Sequence, residues 1–379
     1  MAMLHLMACA APMAGWQVRA VTVDHRLRPE AADEARFVAG VCADLGVPHE
    51  IISWDHGVIA GNVMDQARRA RYGLIADWAK RQGIGHVALA HTATDQAETF
   101  LMGLAREAGL DGLSGMRGHF TQNEVVFARP FLLQTRADLR GHLTRQGKSW
   151  VEDPTNANAD YTRVKARRAL GALAPLGITE ERLVGTVHHL AMAQGVVRRA
   201  TWDAARLVVI EVAGALRLDR KALHHLDPEL QRRVLILCLL WLTGDDYPPR
   251  APAIQRLQRS IFNQKDATLA GCRLRLREDH VVIAREPRAL GGAVAPGQLW
   301  DGRWQVAGRF EAGQQVRALG HDGLVACTDW RRAGLPREVL IVTPALWRGG
   351  QLVAAPVLGI GADWSASVSQ SFNQFILSH

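Results

Sequence analysis

Hydrophobic and polar positions alternate with two different periods along the first 150 residues. Short apolar runs such as Val18–Val23 and Gly85–Ala90 are typical of buried parallel strands, and longer segments with helical periodicity separate them. Strands that alternate with helices predict an α/β fold with a doubly wound, mostly parallel sheet. The predicted helices cover residues 1–14, 31–46, 62–83, 95–107 and 135–147, and the predicted strands cover 17–24, 48–54, 85–90 and 125–129.

Helix-end signals support this assignment. Asn62 is placed to cap the helix that runs through Lys80, while Gly46 and Gly83 stand where two helices are expected to end.

The pattern changes twice in the rest of the chain. Turn-forming residues in 151–160 precede helical periodicity over about 161–243, which a short hairpin near 206–218 interrupts. After Gly291-Gly292, β-like runs follow at 337–342 and 351–355. We therefore expect a catalytic α/β domain, a mainly helical linker domain and a small α+β C-terminal domain, at residues 1–155, 156–290 and 291–379.

Composition excludes several classes of protein. No apolar run approaches the ~20 residues of a membrane span, and the first residues lack the basic region of a secretory signal, so we expect a cytoplasmic protein without a membrane partner. The cysteines occur singly, which argues against a zinc ribbon, an iron–sulfur site or a disulfide framework. The formal net charge of +8 favours a polyanionic partner.

One local cluster of cations is a candidate nucleic-acid contact. Arg163, Lys165, Arg167 and Arg168 open a predicted helix after a loop of Asn and Asp. A solvated helix face explains the same pattern equally well.

Chemically useful side chains follow two predicted strands. His91, Asp95 and Glu98 come where the strand at 85–90 passes into a helix, and Asp24-His25 follows the strand at 17–24. Ligands in open α/β sheets bind beyond the carboxyl ends of the strands, so we expect these groups to line a crevice. A satisfied strand-end histidine and a turn-forming aspartate are the alternatives.

Five segments together resemble the tRNA(Ile)-lysidine synthetase family, in its order and spacing. The segments are Val23–His25, Ala67–Tyr72, His91–Thr99, Gly109–Met116 and Trp150–Asn156. Later segments, 247–250, 268–272 and 330–337, resemble the central and C-terminal domains of that family.

The resemblance implies a fold and an activity. The fold would be that of the PP-loop ATP pyrophosphatases, which is adenine nucleotide alpha hydrolase-like. The enzyme would use ATP and Mg²⁺ to join L-lysine to C2 of the cytidine at the wobble position of tRNA(Ile) with a CAU anticodon. The C2 oxygen would attack the α-phosphate, and the lysine amine would then displace AMP. A homodimer is left open.

The resemblance also implies residue roles. Arg71, His91 and Asp95 match catalytic positions near the phosphates, with Asp95 also a ligand of the metal. Asp24, His25 and Glu98 would bind the nucleotide. An exposed helix cation is the alternative for Arg71. The loop Gly109–Met116 would cover the cytidine and lysine pockets or be a plain turn, and Asp153 and Asn156 would shape the linker.

The sequence lacks the SGGxDS phosphate loop of the family. Met1–Leu6 resembles the helix that follows that loop, so we expect translation to start upstream and the 379-residue form to have an incomplete ATP site and reduced solubility. The alternatives are a catalytically inactive, truncated tRNA-binding remnant and another PP-loop tRNA-modifying enzyme.

Three smaller differences from the family concern single positions. Arg26 stands where glycine is common, Glu107-Ala108 replaces a Gly-Ser pair, and Thr94 replaces the first of two adjacent acids. We expect Thr94 to serve as a helix cap.

Overall fold

The computed structural model describes residues 1–27, 30–58, 61, 63–151 and 162–378. The chain forms two compact units, Met1–Gln194 and Gly195–His379. Three sequence-based expectations lie outside the described residues: the cap at Asn62, the linker roles of Asp153 and Asn156, and the domain boundary after 155. The three-domain division therefore stays a prediction.

The first unit alternates strands and helices as the sequence predicts. Its helices are α1 (Ala2–Ala14), α2 (Ala31–Asp44), α3 (Val63–Arg81), α4 (Ala93–Leu104), α5 (Leu110–Leu113), α6 (Arg136–Arg145), α7 (Thr162–Leu173) and the beginning of α8 (Glu180–Val208). Its strands are β1 (Ala20–Asp24), β2 (His49–Ser53), β3 (His86–Ala88), β4 (His119–Gln122) and β5 (Val125–Ala128).

The described strands of this unit form two ladders, and the neighbouring strands predicted from the sequence are mostly parallel, as expected. Within the described residues, β1 pairs with β2 in parallel, and a second sheet has the order β3-β5-β4 with β3 parallel to β5. Both ladders contribute to one apolar core, in which Val21 and Val87 pack against buried Ile75 and Phe127. One apolar core therefore positions the strand ends that are followed by Asp24-His25 and by His91.

The short strand β4 was not predicted from the sequence. It pairs with β5 in antiparallel orientation through a turn at Asn123 and Glu124, both of which have positive φ, 47° and 65°. Such a turn fits the right-handed twist of a hairpin. A four-residue run with polar side chains gives little periodicity from which to predict a strand.

The second unit is built around antiparallel sheets. Its helices are α9 (Arg220–His225), α10 (Pro228–Thr243), α11 (Ala251–Phe262), α12 (Gly320–Ala326), α13 (Arg337–Leu340) and α14 (Phe372–Ser378). Its strands are β6 (Val209–Val212), β7 (Ala215–Asp219), β8 (Ala267–Leu269), β9 (Cys272–Leu276), β10 (His280–Arg285), β11 (Trp304–Ala307), β12 (Gln314–Ala318), β13 (Pro344–Arg348), β14 (Gln351–Ala354) and β15 (Ser365–Val368). None of the described helices is both long and apolar enough to cross a bilayer.

A five-stranded sheet in the order β6-β7-β10-β9-β8 carries the larger core of this unit. The predicted hairpin is confirmed, because β6 and β7 pair across a turn at Ala213-Gly214. The C-terminal helix α14 also packs on this core, where Phe372 meets Trp241 edge to face at 5.8 Å.

One predicted strand is wrong. Residues 337–340 form helix α13, which Pro336 precedes in extended conformation, whereas the run at 351–354 is a strand as predicted. Val339 and Leu340 are buried side by side, and an apolar pair of this kind serves a short buried helix as well as a strand.

Two of the differences from the family occur at left-handed backbone positions. Arg26 has φ 52° and Glu107 has φ 54°, a region that glycine adopts without steric strain. Gly46 and Gly83, with φ 67° and 68°, follow α2 and α3 closely, as predicted. A glycine at position 26 or 107 would be free of this strain.

Candidate functional site

A cavity of about 510 Å³ opens at the carboxyl end of β3 in the first unit. It receives side chains from the β3–α4 connection, from the first turn of α1 and from α3, α6 and α7. Among its lining residues are Met1, Ala2, Met3, Arg71, Leu89, Ala90, His91, Thr92, Asp95, Phe131, Arg136, Leu139, Arg140, Leu143, Trp150, Val151 and Arg167. The three predicted catalytic residues are therefore brought together at one cavity.

Helix α4 begins with a reciprocal cap that fixes the position of Asp95. The Thr92 hydroxyl accepts a hydrogen bond from the Asp95 amide, and the Asp95 carboxylate accepts from the Thr92 amide at 2.9 Å and the Thr92 hydroxyl at 2.7 Å. The expected cap was Thr94, which is wrong. The Thr94 hydroxyl instead donates to Glu180 at 2.8 Å and accepts from the Arg136 amide.

The second carboxylate oxygen of Asp95 faces cations. Oδ1 lies 3.4 Å from an Arg136 nitrogen and 3.7 Å from an Arg163 nitrogen. Burial of Asp95 raises its pKa, but the Thr92 hydrogen bonds and the two guanidinium charges outweigh this effect and lower the pKa below its usual value. Asp95 is therefore ionised at neutral pH.

Glu98 lies one turn further along α4 and is completely buried. Its carboxylate accepts a hydrogen bond from Arg167 Nε at 2.9 Å and lies 3.1 Å from Arg163 Nε. Glu98 is absent from the cavity lining, whereas Arg167 is present in it. The expectation that Glu98 contacts the nucleotide stays a prediction; in the structure its carboxylate anchors arginines.

His91 is half-buried and accepts a hydrogen bond at Nδ1 from Arg129 Nε, 3.1 Å away. Burial and the charge of Arg129 lower its pKa to about 4. The imidazole is therefore neutral at physiological pH, and it can act as a neutral hydrogen-bonding group in the cavity.

Arg71 supplies a positive charge to the same cavity, and its guanidinium lies 5.5 Å from the centre of the Tyr72 ring. It has no ion pair with any residue that the structure describes, and its buried Nε atom lacks a hydrogen-bond partner there. Its charge lowers the pKa values of both His25 and His91. A guanidinium beside a cavity, without a carboxylate partner among the described residues, favours an anionic ligand.

Asp24 and His25 lie at the neighbouring strand end, outside the cavity lining. The Asp24 carboxylate accepts from the Arg26 amide at 2.9 Å, so it shapes the turn. The His25 ring meets Trp54 edge to face at 5.9 Å and has a buried Nδ1 without a hydrogen-bond partner in the described residues. A nucleotide role for this pair stays a prediction.

The basic cluster at the start of α7 divides into two pairs. Arg163 and Arg167 are engaged with the carboxylates of α4, as described above. Lys165 and Arg168 are exposed and form no ion pair with any described residue. The nucleic-acid role of the four residues stays a prediction.

The loop that includes α5 is held against α4. Gln96 accepts a hydrogen bond from the Met116 amide at 2.7 Å and donates to the Met116 carbonyl. Gly115 has φ 69°, and a Cβ atom there would approach Gln96 Oε1 and Val187 to 2.6 Å. Only glycine fits this close passage.

Sequence analysis missed two arginines of this site. Arg129 follows β5 directly, and Arg136 begins α6. The available signal for Arg129 was its place at a strand end, beside the strand that leads to His91. Arg136 had no such signal, because its partners lie about 40 positions away in the sequence.

The chain matches a family model described as a PP-loop domain over residues 1–173. The tRNA(Ile)-lysidine synthase of Ruegeria pomeroyi is 41% identical over 382 residues, which cover 100% of this chain and 91% of that protein. The protein of the same name from Brucella canis is 32% identical over 377 residues, covering 95% and 83% of the two chains.

A third relative of this name, from a Wolbachia of Brugia malayi, is 33% identical over 273 residues and covers 70% of this chain and 63% of its own. Among solved structures, the U34-tRNA thiolase NcsA from Methanococcus maripaludis matches with a TM-score of 0.44 at 12% identity, over 50% of this chain and 67% of that chain. On the strength of the full-length sequence similarity, the chain belongs to the tRNA(Ile)-lysidine synthase family.

Proposed function

We propose that this chain is an ATP-dependent ligase that forms lysidine at the wobble cytidine of tRNA(Ile), and that the cavity at the end of β3 is the reaction site. The location rests on one observation, the convergence of a cation, Arg71, a neutral imidazole, His91, and an ionised carboxylate, Asp95, on one cavity. Full-length similarity to lysidine synthases carries the reaction type.

The first step forms a bond between the cytidine C2 oxygen and the α-phosphorus of ATP, and pyrophosphate leaves. Negative charge on the phosphate oxygens needs nearby donors and cations. Arg71 supplies the positive charge, and the neutral His91 ring supplies an N–H donor. The first turn of α1 also lines the cavity, where backbone amides suit a phosphate.

In the second step, the lysine amine bonds to C2, the bond between C2 and its oxygen breaks, AMP leaves with that oxygen, and the amine proton is released to water. Lysine binding needs a cation for the carboxyl group. The cavity offers Arg136 and Arg167 for this contact. This assignment of L-lysine is part of the proposal.

Mg²⁺ fits this site as a partner of the phosphates. The described residues contain no cluster of three or more His, Cys, Asp or Glu side chains. Magnesium in phosphoryl-transfer sites is commonly held by one or two carboxylates, with phosphate oxygens and water completing the set. Asp95 Oδ1 is suited to supply the carboxylate, and the bound ion would neutralise phosphate charge. The Glu98 carboxylate is not a candidate ligand of the metal, because it pairs with Arg163 and Arg167.

The tRNA partner is supported by the distribution of charge. Residues 195–379 contain 24 Lys and Arg against 17 Asp and Glu, so this unit has a formal charge of +7 of the total +8. A basic surface lends sequence-independent affinity for phosphates. We assign tRNA binding to this unit, together with Lys165 and Arg168.

The domain roles are proposed on the same basis. Residues 1–155 would form the catalytic domain, 156–290 the helical linker and 291–379 the C-terminal domain. Two apolar clusters, mainly at 204–283 and at 300–354, support this division. A third cluster joins Ala215, Val282 and Ala284 to residues 319–355, and helix α14 packs on the first cluster.

The test compares Arg71→Ala with Arg69→Ala, which removes an exposed arginine of the same helix that is not in the cavity lining. Arg71→Ala would remove an ionic hydrogen bond to phosphate that contributes about 1.5–3 kcal/mol. We therefore expect the rate of ATP-dependent adenylation to fall roughly 10- to 100-fold. The Arg69→Ala variant should retain the wild-type rate. Equal rates for the two variants would place the reaction elsewhere.

A further inference from the structure

Arg129 is a buried guanidinium that the proposed reaction does not use directly. Its exposed fraction is 7%, and no carboxylate in the described part of the chain pairs with it. It donates from Nε to His91 Nδ1 at 3.1 Å and from Nη1 to the Arg117 carbonyl at 2.7 Å. The guanidinium carbon also lies 4.6 Å from the centre of the Phe120 ring. These three contacts fix the orientation of the Arg129 guanidinium.

The chemistry of the contact determines where the imidazole proton resides. A guanidinium has only N–H donors and does not lose its proton in proteins. His91 Nδ1 must therefore be the acceptor, which leaves the single proton of a neutral ring on Nε2. Protonation of Nδ1 would remove the hydrogen bond and bring two cations within about 3 Å of each other.

We propose that Arg129 is a positioning residue that holds His91 in the neutral form protonated at Nε2, so that His91 serves the cavity as a hydrogen-bond donor and not as a general base. This role rests on the proposed function of the cavity. The natural recipient of the Nε2 proton's hydrogen bond is a phosphate oxygen of ATP or of the adenylated cytidine.

The surrounding charges act in the same direction. The charged groups that act on His91 are Arg129 from the end of β5, Arg71 from α3, Arg163 from α7 and Asp95 from α4. Three cations oppose one carboxylate, and burial adds to their effect. His91 therefore remains neutral across the pH range in which a free histidine would titrate.

The first test reads the tautomer directly and does not depend on activity. The full chain is labelled with ¹⁵N-histidine, and the His91 ring signals are assigned by comparison with His91→Gln. Long-range ¹H–¹⁵N spectra of wild type should show protonation at Nε2 and no titration between pH 5 and 8, a window set by the lowered pKa of about 4. Protonation at Nδ1, or a midpoint near the ordinary histidine value, overturns the proposal.

The second test uses Arg129→Met, which keeps the volume of the side chain and removes the donor and the charge. We expect a mixture of tautomers, a His91 midpoint raised by one pH unit or more, and lysine transfer slowed at least about 10-fold in kcat with little change in KM for ATP. Arg145→Met, an exposed control, should behave as wild type. Arg129→Lys retains a cationic donor and should recover part of the rate.

The outcomes separate the two claims. If wild type shows the predicted tautomer and Arg129→Met keeps the wild-type rate, Arg129 has no positioning role in catalysis and the proposal is overturned. If wild type itself transfers no lysine, the function proposed for the cavity fails, and the tautomer measurement still decides the assignment of the His91 proton.

Discussion

Replacement of Glu98 by glutamine gives the sharpest test of how the site is held together. The side chain is completely buried, and its two oxygens face Arg167 at 2.9 Å and Arg163 at 3.1 Å. Glutamine keeps the volume and removes the charge, and its NH₂ group turns a donor toward a guanidinium donor. The negative charge that both guanidinium groups face is lost, and one donor is left facing another donor.

The expected size follows from the burial of the partners. Breaking a fully buried ion pair costs about 3–5 kcal/mol. The Arg163 and Arg167 side chains are 47% and 32% exposed, so water compensates part of the loss. We therefore expect Glu98→Gln to lower the free energy of unfolding by roughly 2–3 kcal/mol.

The assay is urea unfolding followed by far-UV circular dichroism, with Glu124→Gln as the matched control. Glu124 forms an ion pair with Lys80 at 2.5 Å on the surface, where its side chain is 82% exposed, and its loss should leave the midpoint unchanged. If Glu98→Gln unfolds at the wild-type midpoint, the carboxylate does not anchor the arginines and is available to a ligand.

Three further predictions concern the backbone and the imidazole. Arg26→Gly should stabilise the protein by about 0.5–1 kcal/mol in urea unfolding, because Arg26 has positive φ. The control, Arg69→Gly inside helix α3, should destabilise the protein by about 1 kcal/mol. A loss of stability for Arg26→Gly would contradict the strain argument. Gly115→Ala should lower the free energy of unfolding by roughly 2 kcal/mol or more, because its Cβ atom would make contacts at 2.6 Å. Gly118→Ala places its Cβ atom in open space and should leave the stability unchanged. Equal effects of the two substitutions would show that the loop has room for a side chain. His91 has a folded pKa of about 4 against 6.5 when unfolded, so the unfolded state takes up the proton first and stability is lost as pH falls from 6.5 toward 4. His91→Gln should remove that part of the pH dependence, and an unchanged slope would refute the assignment.

The order of elements in the first unit was predictable because strands and helices there differ clearly in apolar period. The strand at 86–88 and the helix at 93–104 were both expected, with ends displaced by a few residues. The failures have local causes. Strand β4 is too short to show a period, and the buried pair at 339–340 suits a helix and a strand equally.

The candidate site was predictable where one segment contains the chemistry. His91 and Asp95 belong to a single strand-to-helix connection, and the resemblance added Arg71. The contacts of Arg129 and Arg136 depend on how distant segments meet, which single-sequence periodicity does not encode.

Single-residue differences from the family did not predict the local backbone. Arg26 and Glu107 both have the left-handed backbone that glycine tolerates best, and this conformation was found only in the structure. The helix cap was not predictable from the sequence either, because Thr92 and Thr94 are both suitable side chains at the start of α4.

The most direct test of the account is lysine transfer by the protein purified from the cells that produce it. A tRNA(Ile) transcript with a CAU anticodon is incubated with ATP, Mg²⁺ and isotopically labelled L-lysine, and its anticodon nucleosides are analysed by mass spectrometry. We expect labelled lysine on the first anticodon cytidine only when ATP is present, with AMP and pyrophosphate formed in equal amounts. An unmodified cytidine despite bound ATP and tRNA, or a different modification at that position, would contradict it.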